Sequence, residues 1–307
     1  MSMTATRRVL AIGVLPPELK ARLAREFDLV ERKPGPGEIL AGYPVAVTTS
    51  MAGIDAATIA ALPDLKLLGC NGAGLERIDT DALAARGIAL HHTPDAVTED
   101  TADLGLALIF ALLRRVTEAD RFVRSNGWAT GRMSPSSRIS GHRLGIVGLG
   151  KIGQTLAGRA ASLGMAVSYT GPRRKPDQPY RYLPDLLTLA EECDVLALTC
   201  RAGPETDRMI DARVLDALGP RGYLINIARG SVVDEAALIA ALTSGGIAGA
   251  ALDVFDHEPN IDPRFAALEN VVLTPHYAAV TRETREAMAE EIATAIAAFY
   301  AGATGQS

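Results

Sequence analysis

The fold of this chain is decided by the segment RLGIVGLGKIG, residues 143–153. Its apolar part, Leu144–Val147, predicts a buried parallel strand, and Lys151–Leu163 has the pattern of a helix. Between them lies a G-x-G-x-x-G turn, Gly148–Gly153. The turn alone is weak evidence, but between a strand and a helix it is typical of a βαβ unit that binds a dinucleotide.

Each glycine of this turn has a separate task. Gly148 permits the tight turn, Gly150 lets the backbone approach a pyrophosphate, and Gly153 lets the helix pack on the strand. The first N–H groups of the helix would then face the phosphates. We therefore predict cofactor contacts from Gly148, Leu149, Gly150, Lys151 and Ile152.

Short apolar runs alternate with helical patterns along almost the whole chain, which predicts an α/β protein with two doubly wound parallel-sheet domains and a cleft between them. We predict a Rossmann nucleotide-binding domain over 99–281, inserted in a flavodoxin-like substrate domain made of 1–98 and 282–307. The predicted strands are Val9–Gly13, Val45–Thr49, Lys66–Cys70, Ile88–His91, Leu144–Val147, Ala166–Thr170, Val195–Thr199, Tyr223–Ile227, Gly249–Leu252 and Val271–Leu273. Long helices are predicted over Thr98–Val123 and Thr281–Ala301, with a connector or arm at Ser125–Gly141.

Composition restricts the class of protein. The chain has 307 residues, 48% of them hydrophobic and 22% charged, and a net charge of −5 without a basic tail. Nucleic acid is therefore not an expected partner. The first apolar run, Val9–Gly13, is too short for a signal core, and no run approaches a membrane span. Cys70, Cys193 and Cys200 are widely spaced, which favours reduced thiols in the cytoplasm and no metal site.

The residues after the second Rossmann strand indicate which nicotinamide cofactor fits. An NAD site has an acidic residue about 20 positions beyond the glycines. Here the strand is followed by Gly171-Pro172-Arg173-Arg174-Lys175, and the first acid is Asp177. Arginines attract a 2′-phosphate that a carboxylate would repel. We predict NADP(H) in preference to NAD(H), with contacts from Gly171, Arg173 and Arg174; the alternative is a solvated basic loop.

Three residues suited to one reaction follow later strands of the same domain. They are Arg229, Glu258 and His276. Arginine can hold a planar carboxylate with two parallel bonds, and histidine passes a proton near neutral pH. A carboxylate beside the histidine fixes its tautomer and favours its protonated form. Downstream of a dinucleotide loop, this set predicts catalysis of 2-keto acid reduction.

With the glycine turn and the motifs Asn226–Gly230, Asp253–Pro259 and Thr274–His276, the chain resembles the D-isomer-specific 2-hydroxyacid dehydrogenases over nearly its whole length. Within that family it is similar to the NADPH-dependent glyoxylate/hydroxypyruvate reductases and their hydroxyphenylpyruvate-reducing relatives. The resemblance implies that Arg229 binds the substrate carboxylate, His276 is the general acid and Glu258 is its partner. Glyoxylate and hydroxypyruvate are the expected substrates, and phenylpyruvates stay open.

Further roles rest on the same resemblance. The turn Asn71–Gly74 would bind the substrate carboxylate through the N–H groups of Ala73 and Gly74. On the cofactor side, the resemblance implies contacts from Asp253 near the nicotinamide amide, from the Ile227 backbone, and from Cys200 and Thr206 beside the adenine ribose. Met51 would line the substrate pocket or pack in the core. The segment with Trp128, Arg132 and Met133 resembles a dimerisation arm, so a homodimer is expected.

Other readings of the sequence stay open. Phosphoglycerate, phosphite or formate oxidation uses the same scaffold, although the basic pair does not suit an NAD enzyme and Glu258 does not suit formate. A dinucleotide-sensing binding protein would keep a similar triad. His91 and His92 are interpreted as structural, and Asp79 and Asp81 as caps of the next helix.

Overall fold

The computed structural model describes residues 7–304, which divide into two compact units. Among the described residues, unit 1 holds the chain up to Val97 and from Ala279 onward, and unit 2 is Thr98–Ala278. The units therefore change at 97/98 and 278/279, where the sequence-based proposal has 98/99 and 281/282.

The strands of the two units form two separate sheets. The strands are β1 (Arg8–Ala11), β2 (Asp28–Glu31), β3 (Val45–Thr49), β4 (Leu67–Asn71), β5 (Ala89–His92), β6 (Arg143–Val147), β7 (Ala166–Thr170), β8 (Arg181–Tyr182), β9 (Val195–Leu198), β10 (Tyr223–Asn226), β11 (Gly249–Leu252) and β12 (Val271–Leu273). Every pairing between them is parallel. Two parallel sheets with interleaved helices confirm the predicted α/β class.

The helices cross between parallel strands, as a parallel sheet requires. They are α1 (Pro17–Ala24), α2 (Ala56–Ala60), α3 (Thr80–Ala85), α4 (Thr98–Leu113), α5 (Val116–Arg124), α6 (Lys151–Ser162), α7 (Leu186–Glu192), α8 (Ala212–Leu218), α9 (Glu235–Ser244) and α10 (Arg282–Thr304). Asp79 caps α3 as predicted, because its side chain accepts a 2.9 Å bond from the N–H of Ala82, whereas Asp81 lies in the first turn of α3 and is not its cap.

Unit 1 has the strand order β2-β1-β3-β4-β5, the order of flavodoxin-like sheets. The last helix, α10, returns to this sheet and packs its apolar face beside α1. Ile292 of α10 is buried, and Gly69 in β4 leaves room for it, since a Cβ there would lie 3.3 Å from its Cγ2. The end of the chain thus completes the core of unit 1.

Unit 2 has the order β12-β11-β10-β9-β6-β7-β8, which is the Rossmann order 3-2-1-4-5-6 with one further strand. The chain reverses direction across the sheet between β6 and β9, and ligands of such sheets bind where the carboxyl ends of the strands meet this switch point. The glycine turn follows β6, and Thr199 and Cys200 follow β9. Sheet order therefore brings these two loops together.

The sequence prediction differs from the structure at three places. All predicted strands are present, four with the predicted bounds and the others with ends shifted by at most two residues, but β2 and β8 are additional. Both are edge strands with charged residues, so they lack the apolar run of a central strand. The predicted helix Thr98–Val123 is wrong: α4 ends at Leu113 and α5 begins at Val116.

The break between α4 and α5 lies at Arg115, whose φ of +53° is left-handed. Its guanidinium Nε donates a 2.7 Å bond to Glu118 in the first turn of α5. The helix α4 buries one face in unit 2, whereas α5 has no buried residue. Helix-forming residues continue across Arg115, so the sequence pattern does not show the break. What changes at this residue is the burial of the helix.

Candidate active site

The glycine turn after β6 is shaped by contact with the loop after β9. Gly148 has φ +95°, and a Cβ on it would lie 2.6 Å from the Cα of Cys200. Thr199 Oγ1 donates a 2.6 Å bond to the carbonyl of Gly148. A Cβ on Gly153 would overlap that carbonyl and lie 2.8 Å from Thr199 Oγ1. Only glycine fits at these two positions, Gly148 because of its turn conformation and the approach of Cys200, and Gly153 because the helix packs closely on the strand.

Gly150 is different, because a Cβ there would meet nothing within 4 Å. It is the N-cap of α6, and no side chain caps this helix end. The first N–H groups of a helix lack intrahelical partners and carry the positive end of the dipole. An open, uncapped N-terminus beside a tight glycine turn fits a pyrophosphate.

The loop after β7 is held by two tyrosines. Tyr182 donates a 2.9 Å bond from its hydroxyl to the carbonyl of Gly171, and the Lys175 N–H donates a 2.6 Å bond to the Tyr169 hydroxyl. Arg173 and Arg174 between them are exposed, and neither forms an ion pair in the described part of the chain. The two guanidinium groups therefore lie on a loop that is fixed by hydrogen bonds, and neither is paired with a carboxylate of the described residues.

The loop after β9 is stabilised by hydrogen bonds between its own residues. Thr206 Oγ1 donates to the carbonyl oxygens of Arg201 and Gly203, at 2.9 and 3.1 Å. Burial raises the pKa of the Cys200 thiol to about 11, so this side chain is a neutral group. The Ile227 side chain is buried against α4, where a Cβ on Gly105 would lie 2.7 Å from its Cδ1. Only the backbone of Ile227 remains for the contact that the resemblance implies.

Neighbouring strands bring the three catalytic candidates to one edge of unit 2. Strands β10, β11 and β12 are adjacent and in register, with Asn226 opposite Leu252 and Leu252 opposite Leu273. Arg229, Glu258 and His276 each follow one of these strands. Carboxyl ends of parallel strands point to the same edge, so residues far apart in sequence converge there.

Arg229 is oriented by the buried amide of Asn226. This amide donates a 2.9 Å bond to the carbonyl of Arg229 and accepts a 3.0 Å bond from the N–H of Ala228. The next residue, Gly230, lies so close to the following loop that a Cβ would overlap the carbonyl carbon of Phe255. These contacts hold the arginine loop directly against the loop that carries Glu258.

His276 and Glu258 form a hydrogen-bonded pair. The distance from Nδ1 of His276 to Oε2 of Glu258 is 2.7 Å, and the other oxygen, Oε1, accepts a 2.9 Å bond from the N–H of Phe255. The Glu258 side chain is only 14% exposed and that of His276 is 32% exposed. Nδ1 thus faces the carboxylate, and Nε2 is the nitrogen left for a reacting group.

The charge state of Glu258 follows from its partners. Burial raises its pKa, but the bonds from His276 and from the Phe255 N–H, with the positive charges of His276 and Arg229, lower the pKa below its ordinary value overall. Glu258 is therefore a carboxylate at neutral pH. An ionised acceptor requires that Nδ1 of His276 carry a proton.

Comparison with known proteins places this geometry in a family. Residues 106–278 match the family model described as the D-isomer specific 2-hydroxyacid dehydrogenase, NAD binding domain. The chain belongs to the D-isomer specific 2-hydroxyacid dehydrogenases. It is accordingly an oxidoreductase, as the sequence motifs predict.

Similar proteins lie in the predicted branch of this family. Over 256 residues the dehydrogenase is 44% identical to glyoxylate/hydroxypyruvate reductase A of Arabidopsis thaliana (83% of this chain, 82% of the relative). It is 42% identical over 256 residues to hydroxyphenylpyruvate reductase of Plectranthus scutellarioides, with the same coverage of 83% and 82%. The solved NADPH-dependent glyoxylate/hydroxypyruvate reductase of Sinorhizobium meliloti, in complex with NADP and malonate, superposes with a TM-score of 0.88 at 33% identity, covering 95% of this chain and 93% of that one.

The residues predicted to bind substrate through backbone N–H groups lie in unit 1 of the dehydrogenase. Gly72 has φ +138°, and its carbonyl and N–H bond to Thr93, at 3.1 and 3.0 Å. The N–H groups of Ala73 and Gly74 donate no hydrogen bond within residues 7–304. Thr93 was not singled out from the sequence; its hydroxyl fixes the turn that presents these two donors.

Met51 lies on the loop after β3 and is 46% exposed, so it is not a core residue of unit 1. Its carbonyl accepts a 2.8 Å bond from the Arg77 guanidinium. His92 Nδ1 lies 3.3 Å from the carbonyl of Ala73, which supports the structural interpretation of this histidine.

The structure also bears on metals and membranes. Within the described residues, His, Cys, Asp and Glu side chains do not assemble in any group of three or more that could hold a metal ion. Over the same part of the chain, every helix is too short or too polar to span a membrane.

Proposed function

We propose that the dehydrogenase reduces a small 2-keto acid to the D-2-hydroxy acid with NADPH, with His276 as the proton donor. The observation that carries this proposal is the hydrogen bond of His276 Nδ1 to the Glu258 carboxylate, whose loop lies against the loop of Arg229. The names of the similar reductases support the substrate class.

The proton path follows from the pair. Because Nδ1 is bonded to Glu258, the proton for the substrate oxygen leaves Nε2. The neutral imidazole that results keeps its proton on Nδ1 and remains bonded to the carboxylate. In the direction of oxidation, the same Nε2 accepts the proton from the hydroxyl group.

Arg229 would hold the substrate carboxylate and stabilise the charge that develops on the keto oxygen. In unit 1, Ala73 and Gly74 would bind a substrate carboxylate, as the family resemblance implies, through N–H groups that have no partner within residues 7–304. Met51 is half-exposed and follows Ser50, whose N–H donates a 3.3 Å bond to the carbonyl of Asn71 in this turn. It would contact the substrate side chain. A substrate with no side-chain carbon, as in glyoxylate, or with one, as in hydroxypyruvate, is proposed, and the aromatic side chain of phenylpyruvates is the alternative.

A bound reduced nicotinamide supplies the hydride. The chain would hold its pyrophosphate on the uncapped end of α6, through Gly148, Leu149, Gly150, Lys151 and Ile152. Gly171, Arg173 and Arg174 would bind the 2′-phosphate, with Cys200 and Thr206 beside the ribose and Ile227 and Asp253 near the nicotinamide. The preference for NADPH is supported by two guanidinium groups without protein partners in the described residues.

The proposed assembly is a homodimer in the cytoplasm. The arm and α5 expose large apolar side chains: Trp128 is 65% exposed, Val123 55% and Val116 52%. Large exposed apolar side chains on neighbouring segments of the chain favour association with a second copy. The three cysteines are free, which fits a reducing compartment.

Steady-state oxidation of NADPH and NADH with glyoxylate, hydroxypyruvate and 4-hydroxyphenylpyruvate tests the function. We expect turnover with NADPH, and at least a hundredfold lower kcat in His276→Ala and in Arg229→Ala, on the scale of acid catalysis. Cofactor affinity, measured by fluorescence titration, should be unchanged in both variants. Negligible turnover of all three acids by a wild-type protein that binds NADPH would favour a sensor over an enzyme.

A further inference from the structure

We propose that Glu235, at the start of α9, is a positioning residue that holds the loop of Glu258 in place by accepting a hydrogen bond from the backbone of this loop. The inference rests on the proposed role of Glu258 and His276 in proton transfer. Glu235 would act through Asp256, which lies two residues before Glu258.

The first observation is a hydrogen bond between two elements that are distant in sequence. The Oε1 atom of Glu235 accepts a 2.9 Å bond from the N–H of Asp256, 21 positions further along the chain. Within residues 7–304, it is the only hydrogen bond that joins the backbone of residues 255–258 to a residue outside this segment. Glu235 therefore provides the external hydrogen-bonded support of the loop that carries Glu258.

The second observation is that Glu235 projects from a fixed segment of backbone. Val233 forms a parallel bridge with Ile210, and the N–H of Asp234 donates a 3.0 Å bond to the carbonyl of Ile210. The Asp234 side chain caps α9 by accepting a 3.1 Å bond from the N–H of Ala237. The start of α9 is thus held both from the neighbouring loop and from within the helix, so the position of the Glu235 carboxyl group is well defined.

The third observation is the short path from Glu235 to the proton donor. The N–H groups of Phe255 and Asp256 are consecutive, and each donates a 2.9 Å bond to a carboxyl oxygen, the first to Glu258 and the second to Glu235. The other oxygen of Glu258 meets His276 Nδ1 over 2.7 Å. A shift of Asp256 would therefore move the donor that orients Glu258. A displacement of about 1 Å at a reacting group costs about a hundredfold in rate.

The surroundings of Glu235 favour its acceptor oxygen over its negative charge. Burial raises the pKa of Glu235, the bond from the Asp256 N–H opposes this rise, and the nearby carboxylates of Asp256 and Asp262 add to it. The pKa lies above its ordinary value overall, which shows that the ionised form is disfavoured here. A glutamine would supply the acceptor oxygen without the charge.

The test separates the reach of this side chain from its charge. Glu235→Gln keeps an acceptor oxygen at the same distance along the side chain, Glu235→Asp keeps the charge on a shorter side chain, and Glu235→Ala keeps neither. We expect kcat for hydroxypyruvate with NADPH to stay within about twofold of the wild type in Glu235→Gln and to fall about tenfold in the other two variants. The Kd of NADPH, measured by fluorescence titration, should be unchanged in all three.

A second measurement does not need turnover. The Nδ1 proton between an imidazole and a carboxylate gives a far-downfield proton NMR signal, assigned here by its loss in His276→Gln. We expect this signal to be retained in Glu235→Gln and to be lost or broadened in Glu235→Asp and Glu235→Ala. If Glu235→Ala does not fold, Glu235→Asp decides the question, because it keeps the acidic group in the first turn of α9.

The matched control is Glu283→Ala. Glu283 is an exposed acidic residue in the first turn of α10, so this variant removes the same charge from a helix start in unit 1. Both kcat and the NMR signal should equal those of the wild type.

Two results would overturn the proposal. A kcat of Glu235→Gln as low as that of Glu235→Ala would show that the charge of Glu235 acts on the site and its acceptor oxygen does not. Wild-type kcat with an intact signal in Glu235→Asp and Glu235→Ala would show that the loop is held without Glu235. If the wild type turns over no keto acid, the proposed function fails, and the NMR signal still shows whether Glu235 positions the pair of Glu258 and His276.

Discussion

Gly230 and Phe255 lie in direct backbone contact, so that any side chain on Gly230 would overlap the carbonyl carbon of Phe255. Arg229 precedes this glycine, and the N–H of Phe255 donates to Glu258 over 2.9 Å. This contact therefore places the loop of Arg229, the proposed substrate-binding residue, against the loop of Glu258, the partner of His276.

Gly230→Ala should separate these loops. The added methyl group cannot fit without a backbone shift, so we expect a loss of about 1–3 kcal/mol in the free energy of unfolding. The shift should also lower kcat/KM strongly, because both Arg229 and Glu258 move. Urea unfolding and steady-state kinetics measure the two effects. Gly302→Ala is the control, since a Cβ on this helical glycine meets nothing within 4 Å; equal behaviour of the two variants would contradict the prediction.

Glu258→Gln should weaken catalysis without abolishing binding. A neutral amide still accepts a bond from Nδ1 of His276 but no longer stabilises a positive charge on the ring. We expect a fall in kcat of about tenfold to hundredfold, with the Kd of NADPH unchanged. A kcat equal to that of the wild type would show that His276 works without this carboxylate.

The same variant should change the dependence of stability on pH. The pKa of Glu258 is lowered from its ordinary value of 4.5, so its ionised form stabilises the folded state above that pH. This contribution is lost as pH falls through the lowered pKa. Glu258→Gln should therefore be less stable than the wild type at pH 7, and the difference should shrink below about pH 4.5. Urea unfolding of both proteins across this range measures it; a constant difference would contradict the pairing.

Arg173→Ala with Arg174→Ala should reduce the preference for NADPH. Each charge-assisted bond to a 2′-phosphate contributes about 1.5–3 kcal/mol, so the ratio of kcat/KM for NADPH to that for NADH should fall at least tenfold. Arg213→Ala with Arg221→Ala removes the same charge from exposed positions of unit 2 and should leave the ratio unchanged. If the ratio of kcat/KM for NADPH to that for NADH is unchanged in Arg173→Ala with Arg174→Ala, the basic run is a solvated loop and does not bind the 2′-phosphate.

Trp128→Glu should dissociate the proposed dimer. A large aromatic side chain that is 65% exposed on the arm is a candidate anchor of an interface, and a charge at its centre is not tolerated. Ile39→Glu is the matched control, because Ile39 is 64% exposed in unit 1. Sedimentation velocity should show a monomer only for Trp128→Glu. A dimer in both variants, or a monomeric wild type, would reject the arm as the interface.

Much of this molecule could be predicted from local sequence. The strand, turn and helix of 143–163 were predicted because apolar runs and glycines report local geometry directly. The break at Arg115 was not, because both segments have a helical pattern and no proline or glycine separates α4 from α5. The edge strands β2 and β8 were missed because they carry charged residues and bury too little to need an apolar run, unlike the edge strand β12.

The sequence by itself determined which residues form the proposed site: an arginine, a glutamate and a histidine after successive strands, and a glycine turn that a close backbone approach requires. The tertiary structure alone decided which groups hold them. Asn226 orients Arg229, and Asp253 binds the loop of His276, through hydrogen bonds between residues up to 25 positions apart. Such bonds depend on the register of β10, β11 and β12, and no local pattern in the chain encodes that register.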